Sequence, residues 1–118
     1  MTDKTSTPEV PKLSFLPPED SGPGMVVYEV DLAPSGTPLA PFKASRFTVE
    51  PGCTSPEDSH AVHEIWMVVE GEGELRYDTH TTRLQPGDVV YYEPPKTHQI
   101  YNDGDKTMVI YSVWWRGQ

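Results

Sequence analysis

The chain has 118 residues, with 9 Lys and Arg against 18 Asp and Glu for a net charge of −9 at neutral pH. That length holds one hydrophobic core and not two. The acidic balance argues against nucleic acid or an anionic membrane as partner, since both need a basic footprint. A single cysteine, Cys53, excludes an intrachain disulfide. No apolar run approaches the length of a membrane span, and the N-terminus lacks the basic start and apolar centre of a signal peptide, so a cytoplasmic location is expected.

Residues 1–24 read as a flexible or extended arm, rich in Thr, Ser, Pro, Asp and Glu around the short patch Leu13-Ser-Phe-Leu16. Phe15 and Leu16 are expected to dock on a neighbouring surface. From Met25 onward the pattern is β throughout. Strands are predicted at 25–31, 43–49, 64–70, 74–77, 81–84, 88–93, 98–102 and 108–115, each ended by Pro, Gly, Asn or Asp. Residues 77–82 read as a hairpin tip, and Gln85-Pro-Gly-Asp88 as a tight turn carried by Gly87. No window sustains an apolar period of 3.6 residues, so no helix is predicted. Eight short strands at regular spacing predict an all-β domain: a sandwich, a jelly roll or a small barrel.

Chemistry concentrates between Gly52 and Gly71. Residues two apart on a strand share a face. An extended chain from Asp58 to Val68 therefore puts Asp58, His60, Glu64, Trp66 and Val68 on one side, and His63, Ile65, Met67 and Val69 on the other. The first face carries three oxygen or nitrogen donors at one end and apolar bulk at the other, as expected of a barrel with a site at its mouth. On the later strand His98, Ile100 and Asn102 share a face, and pairing that strand beside the first brings His98 to His60 and Glu64. Two imidazoles and one carboxylate with open positions suit Fe(II), and Mn, Ni, Co or Zn remain chemically open. Asp58 reads equally as a further ligand or as a turn residue. His63 has the wrong parity for the site, and His80 falls at a hairpin tip. Trp66, Ile100 and Asn102 are the candidate pocket-wall residues. Arg46, Arg76, Arg83 and Lys96 are the cations available for a substrate carboxylate.

The spacing Gly52-x5-Asp58-x-His60-x3-Glu64-x6-Gly71 resembles the first cupin motif. In that motif a histidine stands where this chain has Asp58. The stretch Gly87-x5-Glu93-Pro94-Pro95-Lys96-Thr97-His98-x3-Asn102 resembles the second motif, with Glu93 and Pro95 at its usual Pro and Gly. The spacer of residues 72–86 is that of a compact cupin. The resemblance implies a single-domain cupin over residues 25–118, a double-stranded β-helix or jelly-roll barrel. It also implies one divalent transition metal, Fe(II) favoured, held by His60, Glu64 and His98, with Asp58 as a fourth donor. The activity implied is that of a metal-dependent enzyme on a small organic metabolite, a dioxygenase or other oxidoreductase first. The alternatives are a metal-dependent isomerase, decarboxylase or lyase, or a non-catalytic small-molecule-binding cupin. Cupins commonly pair, so a homodimer is expected.

Overall fold

A computed structural model describes residues 12–57 and 61–117. Nine strands follow in chain order: β1 (Glu19–Asp20), β2 (Met25–Glu29), β3 (Lys43–Val49), β4 (His63–Glu70), β5 (Gly73–Tyr77), β6 (His80–Leu84), β7 (Val89–Tyr92), β8 (His98–Tyr101) and β9 (Met108–Trp115). They form a six-stranded sheet in the order β1-β2-β3-β9-β4-β7 and a three-stranded sheet β6-β5-β8. All pairings are antiparallel. Eight of the nine strands lie where the alternation of the sequence puts them. The ninth, β1, has two acidic residues and too short a pattern to read.

Period-two alternation builds the core. On β3 the inward residues are Ser45, Phe47 and Val49; on β4 they are Glu64, Trp66 and Val68; on β9 they are Met108, Ile110 and Ser112. Leu75, Leu84, Tyr92 and Ile100 from the other strands complete the same cluster. Register turns this into a gradient. One row across the large sheet runs Lys43, Trp114, Glu64, Tyr92 and the next Ser45, Ser112, Trp66, Val90, while the rows towards Val49 and Met108 are apolar. The polar side chains thus collect at one end of the interior.

Turn chemistry fixes the connections. Gly87 sits at φ 97° in the turn whose Asp88 amide donates to the Gln85 carbonyl, the left-handed position that follows Pro in a type II turn. Asn102, fully buried, donates its side-chain amide to the carbonyls of Val49 and Lys106 and accepts from the Gly104 amide, which fastens the loop between β8 and β9 to the end of β3. The described part of the arm extends the large sheet. Leu16 donates to the Glu29 carbonyl and Asp31 to the Ser14 carbonyl, both at 2.8 Å, and Phe15 bridges Val30. Phe15 also packs edge-on to Tyr28, beneath the Arg46 guanidinium. The Leu13–Leu16 patch therefore docks on the chain's own barrel.

Candidate functional site

Glu64 and His98 meet inside the barrel. Glu64 faces inward from β4 beside Trp66, by the strand parity expected. His98 does not come from a neighbouring strand, as the sequence suggested. Both edges of β4 are occupied, by β9 and β7, and β8 pairs instead with β5 in the opposite sheet. The imidazole therefore reaches Glu64 across the interior, with Nε2 at 3.2 Å from Oε1. His98 is 2% exposed. Its ring lies flat on Tyr92 at 4.2 Å between centroids and meets Trp66 edge-on at 5.3 Å. Those two rings leave it one orientation.

The other carboxylate oxygen, Oε2, accepts hydrogen bonds from the Ser112 hydroxyl and, at 2.8 Å, from the Trp66 indole N–H. Burial by itself pushes the Glu64 carboxyl up; the hydrogen bonds from His98, Ser112 and Trp66 outweigh it and hold the group below its usual range. Glu64 is accordingly ionised at neutral pH. Burial pushes the Tyr92 phenol strongly up, aided by the Glu64 charge, so Tyr92 stays protonated.

The pair opens on a cavity of about 430 Å3. Its polar lining is Glu64, His98, Ser112, Ser21, Ser45 and Ser55, and its apolar lining includes Val27, Phe47, Trp66 and Trp114. Such a cavity, apolar with a few convergent polar groups, has the size and composition of a small-molecule site.

Of the residues singled out by sequence, Glu64, His98 and Trp66 converge here. Asp58 and His60 lie outside the described residues. Ile100 and Asn102, expected on the pocket wall, stand elsewhere: Ile100 packs in the core, and Asn102 bonds backbone groups of the β8–β9 loop and the Val49 carbonyl at the end of β3. His63 points to the outer face, its ring near-parallel to those of Tyr91 and Trp115, which also contact each other. His80 opens β6 and is exposed. The four cations considered for a substrate carboxylate are engaged at the surface, Arg46 with Phe15, Arg76 with Glu74, Arg83 with Asp103 and Glu72, and Lys96 with Glu93. Sequence reading missed Ser112. Ser112 is the one polar residue in the apolar run Met108–Trp115, which was a usable signal; its position opposite Trp66 needed the β4–β9 register.

Among the described residues no group of three or more His, Cys, Asp and Glu side chains gathers as a metal set. The two donors that do meet fit one. With arms of about 2.1 Å to nitrogen and oxygen, atoms 3.2 Å apart subtend about 100° at a shared ion, an ordinary angle between neighbouring ligands. Ser112 and Trp66 hold the far carboxylate oxygen in the way outer partners orient a metal ligand.

Two facing antiparallel sheets around an inward histidine and glutamate define a small β-barrel with an internal cavity. The sequence profile of the family described as "Cupin domain" matches residues 45–114, and the chain belongs to that family. Among solved structures it is similar to a cupin 2 conserved barrel domain protein from Salinispora arenicola, at 35% identity and a TM-score of 0.72 over 83% of this chain and 81% of that one. A cupin 2 domain-containing protein from Halorhodospira halophila matches at 27% identity and a TM-score of 0.70, over 80% of this chain and 66% of that one. KdgF from Halomonas sp., at 21% identity and a TM-score of 0.69 over 87% of this chain and 89% of that one, shares the fold.

Proposed function

We propose that this chain is a metal-dependent cupin enzyme of the cytoplasm that acts on a small, partly apolar organic metabolite, with oxidoreductase chemistry of the dioxygenase kind as the first reading. The observation that carries it is the Glu64–His98 contact at the inner end of an open, largely apolar cavity. The metal would be held by Glu64, His98 and His60, with Asp58 as the candidate fourth donor. A bound divalent ion polarises substrate oxygens or supports oxygen chemistry at positions that protein ligands leave open.

The protein's own part is arrangement. Glu64 stays ionised because three donors face it. His98 keeps one ring plane because Tyr92 and Trp66 wall it. Phe47, Val27 and Trp66 exclude water from the inner end of the cavity, which strengthens every polar contact made there.

Protein purified without an affinity tag is expected to carry near-stoichiometric metal, and Glu64→Ala and His98→Ala are each expected to lose it. Full metal retention in both variants sinks the proposed site. A second reading, a non-catalytic small-molecule-binding cupin, draws support from the direct 3.2 Å approach of His98 Nε2 to Glu64 Oε1, a contact the two side chains make with each other. Metal-free protein that still binds a small ligand in the cavity would favour that reading.

A further inference from the structure

We propose that a second chamber outside the barrel mouth seats the uncharged, apolar arm of the ligand whose polar head lies at Glu64 and His98; the chamber is thus the specificity-determining part of the site. The assignment of the head rests on the inner site proposed above.

The chamber, of about 640 Å3, is walled by Leu16 from the arm, by Leu32, Pro38 and Phe42 from the β2–β3 loop, and by Trp114 from the end of β9. Val62 and Trp114 line both this chamber and the inner cavity, so the two adjoin at these side chains. Trp114 stands at the junction because it is paired with Glu64 on one side and Lys43 on the other, one interstrand spacing of about 4.8 Å from each.

The walls are fastened. Leu39 donates to the Leu32 carbonyl at 2.7 Å, the Ala33 amide to the Asp31 carboxylate at 3.0 Å, and Leu16 to the Glu29 carbonyl at 2.8 Å. Leu16, Leu32, Pro38 and Phe42 all lie outside the segment 45–114 that matches the family profile, whereas Val62 and Trp114 lie within it.

The lining states the chemistry of the occupant. The charged residues on the wall are two acids, Glu29 and Asp31, and two bases, Lys43 and Arg116. Lys43 approaches Glu29 at 3.9 Å, and Asp31 accepts the Ala33 amide. Opposite charges in equal number select for no ionic group, whereas aliphatic and aromatic walls favour hydrocarbon. The occupant is therefore an aliphatic or aromatic arm on a molecule with a neutral or metal-binding polar head.

The test is a titration of the full-length protein with straight-chain primary amides from acetamide to octanamide, followed by ligand-observed NMR and calorimetry. The amide N–H groups are donors suited to the Glu64 carboxylate. Affinity is expected to rise about fourfold per added methylene to the end of the series. Leu16 and Phe42 are 41% and 40% exposed, so a charge at either leaves folding intact. Leu16→Asp and Phe42→Asp are expected to weaken the longest amides at least tenfold and to leave acetamide unchanged. Unchanged affinity for the long amides in both variants overturns the chamber, and so does a wild-type series with no binding or no chain-length gradient. If Glu64→Gln binds the series like wild type while Phe42→Asp loses the long members, the inner-site reading fails and the chamber stands. If Glu64→Gln weakens every member and Phe42→Asp none, the chamber fails and the inner site stands.

Discussion

The Ser112 hydroxyl on β9 donates to Oε2 of Glu64 on β4, from two register positions beyond Glu64's own partner, Trp114, on the same face. Glu64 is 8% exposed, so the bond satisfies an oxygen largely withdrawn from water. Ser112→Ala leaves the Trp66 indole donating to that oxygen and removes the hydroxyl. A buried acceptor deprived of a partner costs about 1–3 kcal/mol, and denaturant titration is expected to show a loss in that range. If Glu64 ligates metal, the same variant weakens metal binding about tenfold or more, the usual effect of removing a ligand's outer partner; metal competition with a chelator reads it. Unchanged stability together with unchanged metal affinity would show that Ser112 does not orient the carboxylate.

Gly52 and Gly71 separate backbone strain from packing. Both adopt left-handed φ, 79° and 80°. A Cβ at Gly52 meets nothing within 4 Å, whereas one at Gly71 falls 2.8 Å from the Met108 Cα and 3.0 Å from the Thr107 carbonyl oxygen. Gly52→Ala is expected to cost only the left-handed penalty of about 1–2 kcal/mol. Gly71→Ala adds overpacking of about 1–3 kcal/mol. Thermal unfolding of the two variants side by side tests the difference, and equal losses would refute it.

Asn102 holds the β8–β9 loop through three hydrogen bonds from one fully buried side chain. Asn102→Ala strands the Val49 and Lys106 carbonyls and the Gly104 amide. The expected result is a destabilisation of roughly 2 kcal/mol or more, with faster amide hydrogen exchange at residues 103–107 and little change in the inner cavity. Loss of ligand or metal binding without loss of stability would instead place Asn102 in the site.

How far the sequence could be read follows from what each residue's neighbours are. Strand positions were legible because alternation is local: 43–49 and 108–115 match β3 and β9 end to end. The inward facing of Glu64 and the outward facing of His63 were legible for the same reason. Which strand carries His98 to Glu64 was not, because pairing order is a property of the whole sandwich; β9 takes the place beside β4 that β8 was expected to fill. Asn102 was misplaced because parity gives a face without saying that a loop closes over it. The outer chamber was invisible because its walls come from Pro-rich segments with no period to read.

The Arg83 guanidinium bonds Asp103 at 2.8 Å and Glu72 at 3.1 Å across the loops beside β6. The hydrogen bond from Arg83 holds the Asp103 carboxyl below its ordinary range. A lowered carboxyl contributes stability that is fully present above its unfolded pKa and is lost as the pH falls through the folded value. Arg83→Ala is therefore expected to lower the melting temperature slightly at neutral pH and not at all in strong acid. Because these side chains are solvated, the neutral-pH difference should shrink at high salt. A difference that grows on acidification would reverse the sign and refute the assignment.

The outer face of the large sheet is largely apolar across β4, β7 and β9, where an open antiparallel sheet is ordinarily polar. Ile65, Met67, Val69, Val89, Tyr91 and Tyr111 all point away from the core, and Val69, Val89 and Tyr91 are 48%, 64% and 49% exposed. A contiguous patch of this kind marks an interface. With a net charge of −9, two copies repel at long range, so their association needs apolar contact of this sort, and the expected occupant is a second copy of the chain laid sheet to sheet. Sedimentation at micromolar concentration is expected to give a dimer, tighter at high salt as the repulsion is screened. Val89→Glu with Tyr91→Glu puts charges on solvent-facing positions, so the variant should remain folded and sediment as a monomer. A monomeric wild type refutes the homodimer, and a dimer unaffected by the double variant moves it to another face.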